Sequence, residues 1–232
     1  MSGTPSAPAA AVRPRTVLLG LLGLSANLRA ALAGYPPLLE TARADLGISA
    51  GAAGLVQAGA VLMMAAGSFG GAAVGTRFGR ETALGAAVGL VAAGSLVRGV
   101  PALAALVGGS LLIGLGVGLA GVLLAGVVKE HLAARAGAVT GGYVVSMMIG
   151  ATVAGAVAVP LAVALGGWSW SLAVWAVPAA VATGVWVPVA RQAGRVRLQG
   201  RVEALALGLL EPGQLVAEHP GGLAGQLVQV GG

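Results

Sequence analysis

The chain has 232 residues, 57% of them hydrophobic and only 9% charged, with a mean hydropathy of +0.94. Soluble domains carry roughly 25% charged residues, so this balance argues against a soluble fold. The net charge of +6 does not mark a nucleic-acid binder, because the basic residues lie scattered between apolar runs. The absence of cysteine excludes disulfides, zinc thiolates and iron–sulfur ligation.

Met1 to Arg15 form a polar tail rich in Pro and Ala that ends in Arg13 and Arg15. The apolar stretch from Thr16 runs on to Gly34, longer than the roughly 7–15 residues of a signal-peptide core, which predicts a retained first transmembrane helix. About 20 mainly apolar residues cross a bilayer. On that measure six spans are expected, near 16–34, 51–73, 82–99, 102–127, 138–164 and 170–189. Glu81 and Arg98 bracket the third closely.

The connecting charges orient the bundle. With the N-terminus inside, the inner segments hold Arg13, Arg15, Arg77, Arg80, Lys129, Arg135, Arg191, Arg195, Arg197 and Arg201, and the outer segments hold only Arg43 and Arg98. The positive-inside rule therefore predicts an all-α membrane protein, a six-helix transmembrane bundle with both termini on the cytoplasmic side. Gly67-x3-Gly71-x3-Gly75, Gly85-x3-Gly89 and Gly114-x3-Gly118 have the spacing that lets helices approach closely, although a chain with 41 glycines produces some such matches by chance. From 191 to 232 the composition changes, and Arg201, Glu203, Glu211 and Glu218 interrupt every window long enough to span. This tail reads either as a cytoplasmic amphipathic extension or as an out-of-frame ending.

Arg29 lies within the first span. A guanidinium stays charged, and at membrane depth it costs several kcal/mol unless it meets water, a partner or a ligand. Three roles are open to it: snorkelling to the outer surface, pairing with a carbonyl or helix end, and contact with an anionic or polar substrate. No Asp or Glu falls inside the expected spans. Asn27, two residues earlier, points to a different face of an ideal helix and suits interhelix bonding as well as substrate contact. Gln57 is helix glue or cavity lining; Tyr143 and Ser146 suit packing or an interface, and Tyr143 joins Arg29, Asn27 and Gln57 as a candidate substrate-binding residue. Trp168 and Trp170 fit an outer aromatic belt. His131 has no second ligand at metal spacing, and no hydrolase, protease or P-loop motif occurs, so neither an enzyme nor a metal or cofactor site is expected.

Several motifs in order resemble the major facilitator superfamily and, within it, the cyanate and 2-nitroimidazole transporter family. They are Asn27-Leu28-Arg29, the stretch from Pro37-Leu38-Leu39-Glu40 to Ala44-Asp45-Leu46-Gly47-Ile48-Ser49, and Thr76-Arg77-Phe78-Gly79-Arg80 at the place of the superfamily's cytoplasmic loop motif. Leu111 to Gly116, the pattern Lys129, Arg135, Gly137, Thr140, Gly141, Tyr143, and Gly166-Gly167-Trp168-Ser169-Trp170 follow. The resemblance covers about residues 16–190 and assigns Arg77, Gly79 and Arg80 to the loop motif. Thr76 replaces that motif's Asp, Ala30 and Ala60 stand where the family has Pro, and Gly121 and Ala125 replace an Asn and a Pro. These changes remove a charge, a hydrogen-bonding group and three kink sites.

The resemblance implies the N-terminal half of a secondary transporter in the plasma membrane, moving a small anionic or polar molecule by alternating access around a midplane site. The pattern stops near Ala190, where the composition shifts, which suggests a truncated or frameshifted product. The implied partners are the bilayer, the substrate, and either a second copy in a homodimer or a missing C-terminal half. The alternative is a nontransporting remnant or interaction subunit.

Overall fold

The computed structural model describes residues 14–131, 136–184 and 199. All but the last belong to the first of the chain's two units, Met1–Arg191. Every regular element among them is helical: α1 (Pro14–Ala33), a 3-10 turn (Pro36–Leu38), α2 (Leu39–Leu46), α3 (Ala50–Phe78), α4 (Arg80–Val97), α5 (Leu103–His131), α6 (Ala136–Ala164) and α7 (Trp168–Ala173). A further helical stretch, α8, covers 176–184. Helix is what an apolar medium demands, since it satisfies the backbone within one segment. By length and composition, Ala50–Phe78, Arg80–Val97, Leu103–Gly126 and Gly137–Ala164 can each cross a membrane. With α1 they occupy five of the six expected spans, within two residues at every end but the end of α3 at Phe78, which lies five beyond.

The sixth span differs from expectation. It begins at Trp168 but is broken at Val174–Trp175 before α8. Pro178 explains the break: it has no N–H for the carbonyl of Val174, and its ring crowds that carbonyl. Val177 N–H bonds Val174 O at 3.1 Å instead, a tighter turn. Residues 1–13 and most of the tail from 185 lie outside the described residues.

Two turns are fixed by glycine. Gly47 ends α2 with φ 64°, and Ser49 then caps α3 by accepting the Ala52 N–H at 3.1 Å. Gly79 joins α3 to α4 at φ 93° and ψ 138°, a conformation that costs a residue with a Cβ about 1–3 kcal/mol. Gly79→Ala is expected to lower stability by that amount, measured as a fall in the melting temperature of the purified protein.

The core has two parts. Leu24, Leu28 and Ala31 of α1 meet Leu84, Ala87 and Val91 of α4 and Ile113, Val117 and Leu124 of α5 in the larger one. Tyr35, Leu38, Ala42, Val56, Leu106, Ala158, Trp168 and Leu172 make a second at the end of the bundle that carries α2. Close approach depends on glycine. A Cβ at Gly114 or Gly118 of α5 would strike the carbonyls of Ala60 or Met64 in α3, and one at Gly67 would lie 2.5 Å from Leu115 O. Thus the motifs of α3 and α5 form one seam. Gly89 has open space beside it and marks no contact. Two further crossings escape motif reading: Gly94 against Gly109 between α4 and α5, and Gly150 of α6 against Ala26 of α1.

Helices α3 and α6 leave long apolar faces uncovered, with Phe69 89% exposed and Leu62, Val145 and Ile149 also outward. In a chain of this composition such faces suit lipid or another helical partner.

Candidate functional site

Helix α1 runs unbroken from Pro14 to Ala33, so Asn27 and Arg29 lie roughly 200° apart around it. The structure does not bring them together. Arg29 is half-buried and extends to α3, where its Nη1 lies 4.0 Å from Met64 Sδ. A thioether is a weak acceptor, and no carboxylate bonds this guanidinium among the described residues. Gln57 stands seven residues before Met64 on the same face of α3, roughly 10 Å along the axis. Its Oε1 is buried without a partner among the described residues, and it lines an open cavity of about 620 Å³ with Gly54, Ala58, Val61, Leu62 and Ala65. Arg29 and Gln57 therefore border one side of α3.

Asn27 is 6% exposed, and neither amide atom has a partner among the described residues. Gly34, two turns further on at the same angular position and just past the end of α1, packs beside Trp175 Nε1, which is also unpartnered among the described residues. Asn27 thus belongs to the face that turns towards the α7–α8 segment. Tyr143 is half-buried and packs on the larger core. Its neighbours Gly142 and Ser146 meet Leu22, with Ser146 Oγ donating to Leu22 O at 2.7 Å, so Tyr143 sits about 10 Å along α1 from Arg29. Of the four candidates, only Arg29 and Gln57 share a side.

The loop motif residues stand at the opposite end of the bundle from α2. Arg77 leans on the Phe78 ring, Cζ 5.7 Å from its centroid. Arg80 runs along the α3–α5 seam, so that a Cβ at Gly126 would lie 3.0 Å from its Nε. With Gly71, Gly75, Thr76 and Gly126 it lines a cavity of about 340 Å³. Glu81, expected just outside a span, lies in the first turn of α4 and is buried; it and Arg80 both have interaction partners. A carboxylate there is favoured by the helix N-terminus.

Arg98 corrects the sequence reading most. It was expected as an outer loop charge, yet it is 1% exposed. Its Nη1 donates to Ala31 O at 2.9 Å, and Nε and Nη2 donate to Ser110 Oγ at 3.0 and 2.6 Å. The short connection Gly99-Val100-Pro101, with no polar residue to hold a charge in water, was the available signal. At the same end Trp168 Nε1 donates to Asp45 Oδ2 at 2.9 Å, so this tryptophan is a buried clasp while Trp170 is exposed. Arg43 makes two 2.6 Å bonds to Glu40, which hold the Glu40 carboxyl below its ordinary range.

Known proteins share this sequence pattern and this fold. A 2-nitroimidazole transporter of Escherichia coli (strain K12) is 34% identical over 175 residues, 75% of this chain and 44% of the relative. An uncharacterized transporter, YycB, of Bacillus subtilis (strain 168) is 34% identical over 176 residues with the same coverage. The chain spans less than half the length of both. Among solved structures, the inward-open xylose transporter XylE from E. coli superposes with a TM-score of 0.68 at 17% identity, covering 75% of this chain and 47% of that one. A peptide transporter, POT, bound to sulfate gives 0.65 at 19% identity, covering 83% and 45%. The family model of the Major Facilitator Superfamily matches residues 18–217, past the Ala190 boundary. With its apolar helical spans, its α3–α4 loop motif and its three glycine-sealed helix pairs, the chain belongs to the major facilitator superfamily, whose members are transporters and not enzymes, and it carries the fold of an N-terminal half.

Proposed function

We propose that the chain supplies the N-terminal half of a secondary transporter in the plasma membrane, and that it handles a small anion or polar molecule of the cyanate or nitroimidazole kind. Arg29 supports this reading above all: a half-buried guanidinium in a transmembrane helix, bonded only to a thioether among the described residues. A charge so placed is stabilised by a ligand that brings hydrogen-bond acceptors to it. Gln57 adds a second polar group on the same side, and one relative is a 2-nitroimidazole transporter. Alternating access needs a second bundle across the cavity. The outward apolar faces of α3 and α6 suit such a partner, whether a second copy or a separate C-terminal half.

The test is a thermal-shift titration of the purified chain with cyanate and with 2-nitroimidazole, alongside native mass spectrometry. Saturable stabilisation by either compound, lost in Arg29→Gln, is the expected result. A chain that no such compound stabilises would overturn the reading. A dimer in the mass spectrum identifies the homodimer as the partner; a monomer leaves the separate half.

A further inference from the structure

The interior holds a second guanidinium that transport chemistry does not account for. Arg98 ends α4, and no carboxylate bonds it among the described residues. Its bond to Ala31 O satisfies a carbonyl in the last turn of α1, where the helix itself supplies no donor and a cation is favoured. The Ser110 hydroxyl that accepts from it donates in turn to Leu106 O at 2.5 Å, anchoring it on α5. The Tyr35 ring lies 5.8 Å from Cζ, and Tyr35 Oη donates to Ala53 O of α3 at 3.1 Å. The backbone makes room for this side chain: a Cβ at Gly109 would lie 2.8 Å from Arg98 Cγ. One buried cation thus joins the same ends of α1, α4 and α5, and through Tyr35 it reaches α3.

We infer that Arg98 is a positioning residue: by gripping the Ala31 carbonyl and Ser110 it fixes the end of α1, and with it the depth and rotation of Arg29, two residues earlier. Its functional consequence rests on the proposed role of Arg29; the clamp itself does not. The carbonyl of Ala31 and the side chain of Arg29 move with one rigid helix, so releasing the first frees the second.

The chain has no cysteine, so introduced pairs can be spin-labelled without background. One pair, Ala33→Cys with Leu103→Cys, reports the clamped ends of α1 and α5; the other, Gly23→Cys with Gly121→Cys, reports their remote parts at exposed positions. In Arg98→Met the first pair should shift to longer distance and broaden while the second stays unchanged, and Ser110→Ala should act in the same direction with less risk to folding. Arg98→Lys, able to keep one bond, should fall between. Cyanate affinity should fall in Arg98→Met, and adding Arg98→Met to the Arg29→Gln protein should lower it no further, the non-additivity expected of a residue acting through another. An unchanged first pair in both Arg98→Met and Ser110→Ala would overturn the inference, as would equal movement of both pairs. If the first pair moves but wild-type protein binds neither cyanate nor 2-nitroimidazole, the clamp stands and the substrate reading falls.

Discussion

Gly118→Leu is expected to destroy the packing of α3 against α5. The native backbones are so close that even a Cβ at 118 would overlap the Met64 carbonyl, and the same holds at Gly114 against Ala60. A leucine must therefore drive the two helices apart along the whole seam, not merely shift a side chain. Overpacking of this kind costs about 3 kcal/mol or more when backbone has to move. For a chain of this size that corresponds to a fall of roughly 6–12 °C in melting temperature. Gly121→Leu is the control, because Gly121 is exposed with nothing within 4 Å of its Cβ position. Thermal melts and size-exclusion profiles of the two variants in one detergent decide the matter. Equal behaviour would show that the seam is not the determinant of stability.

Arg29→Gln is expected to lower affinity for the anionic or polar ligand about 10- to 100-fold, the loss of a charge-assisted hydrogen bond worth roughly 1.5–3 kcal/mol. The variant keeps length and a donor but removes the charge. Its fold should survive, because Arg29 makes only the weak contact to Met64 and sits half-buried. The same titration on Asn27→Leu should show unchanged affinity, since Asn27 faces away from Arg29. Its melting temperature should hold or rise, because the change removes an amide with no partner among the described residues. Equal loss of affinity in both variants would mean that the two residues share a cavity, against the helical geometry.

The spans were legible because the bilayer imposes a length and a composition, and both are written into the chain without reference to tertiary contacts. The opposed faces of Asn27 and Arg29 were legible for a similar reason: helical phase is local. What escaped depends on which helix meets which. Arg98 has the spacing of an outer loop charge and becomes interior only because Ala31 and Ser110, remote in sequence, converge on it. Gly94, Gly109 and Gly150 look no different from Gly89, yet three make backbone contacts and one makes none. The break after α7 went unread in an expected continuous span, although Pro178 carries the signal for it, with its consequence four residues upstream at Val174. The offset between Tyr143 and Arg29 was not legible, because it depends on α6 meeting α1 through Ala26 and Leu22, about two turns from Arg29.

The glycine seam also limits motion. Where a bare Cα rests on a neighbouring carbonyl, sliding one helix past the other by a residue would bring a side chain into the space that glycine vacates. The α3–α5 contact is therefore keyed like a lock bolt, and the two helices must travel as one body through any working cycle. Movement is left to surfaces with no such key, and the broad outward faces of α3 and α6 are where it can occur.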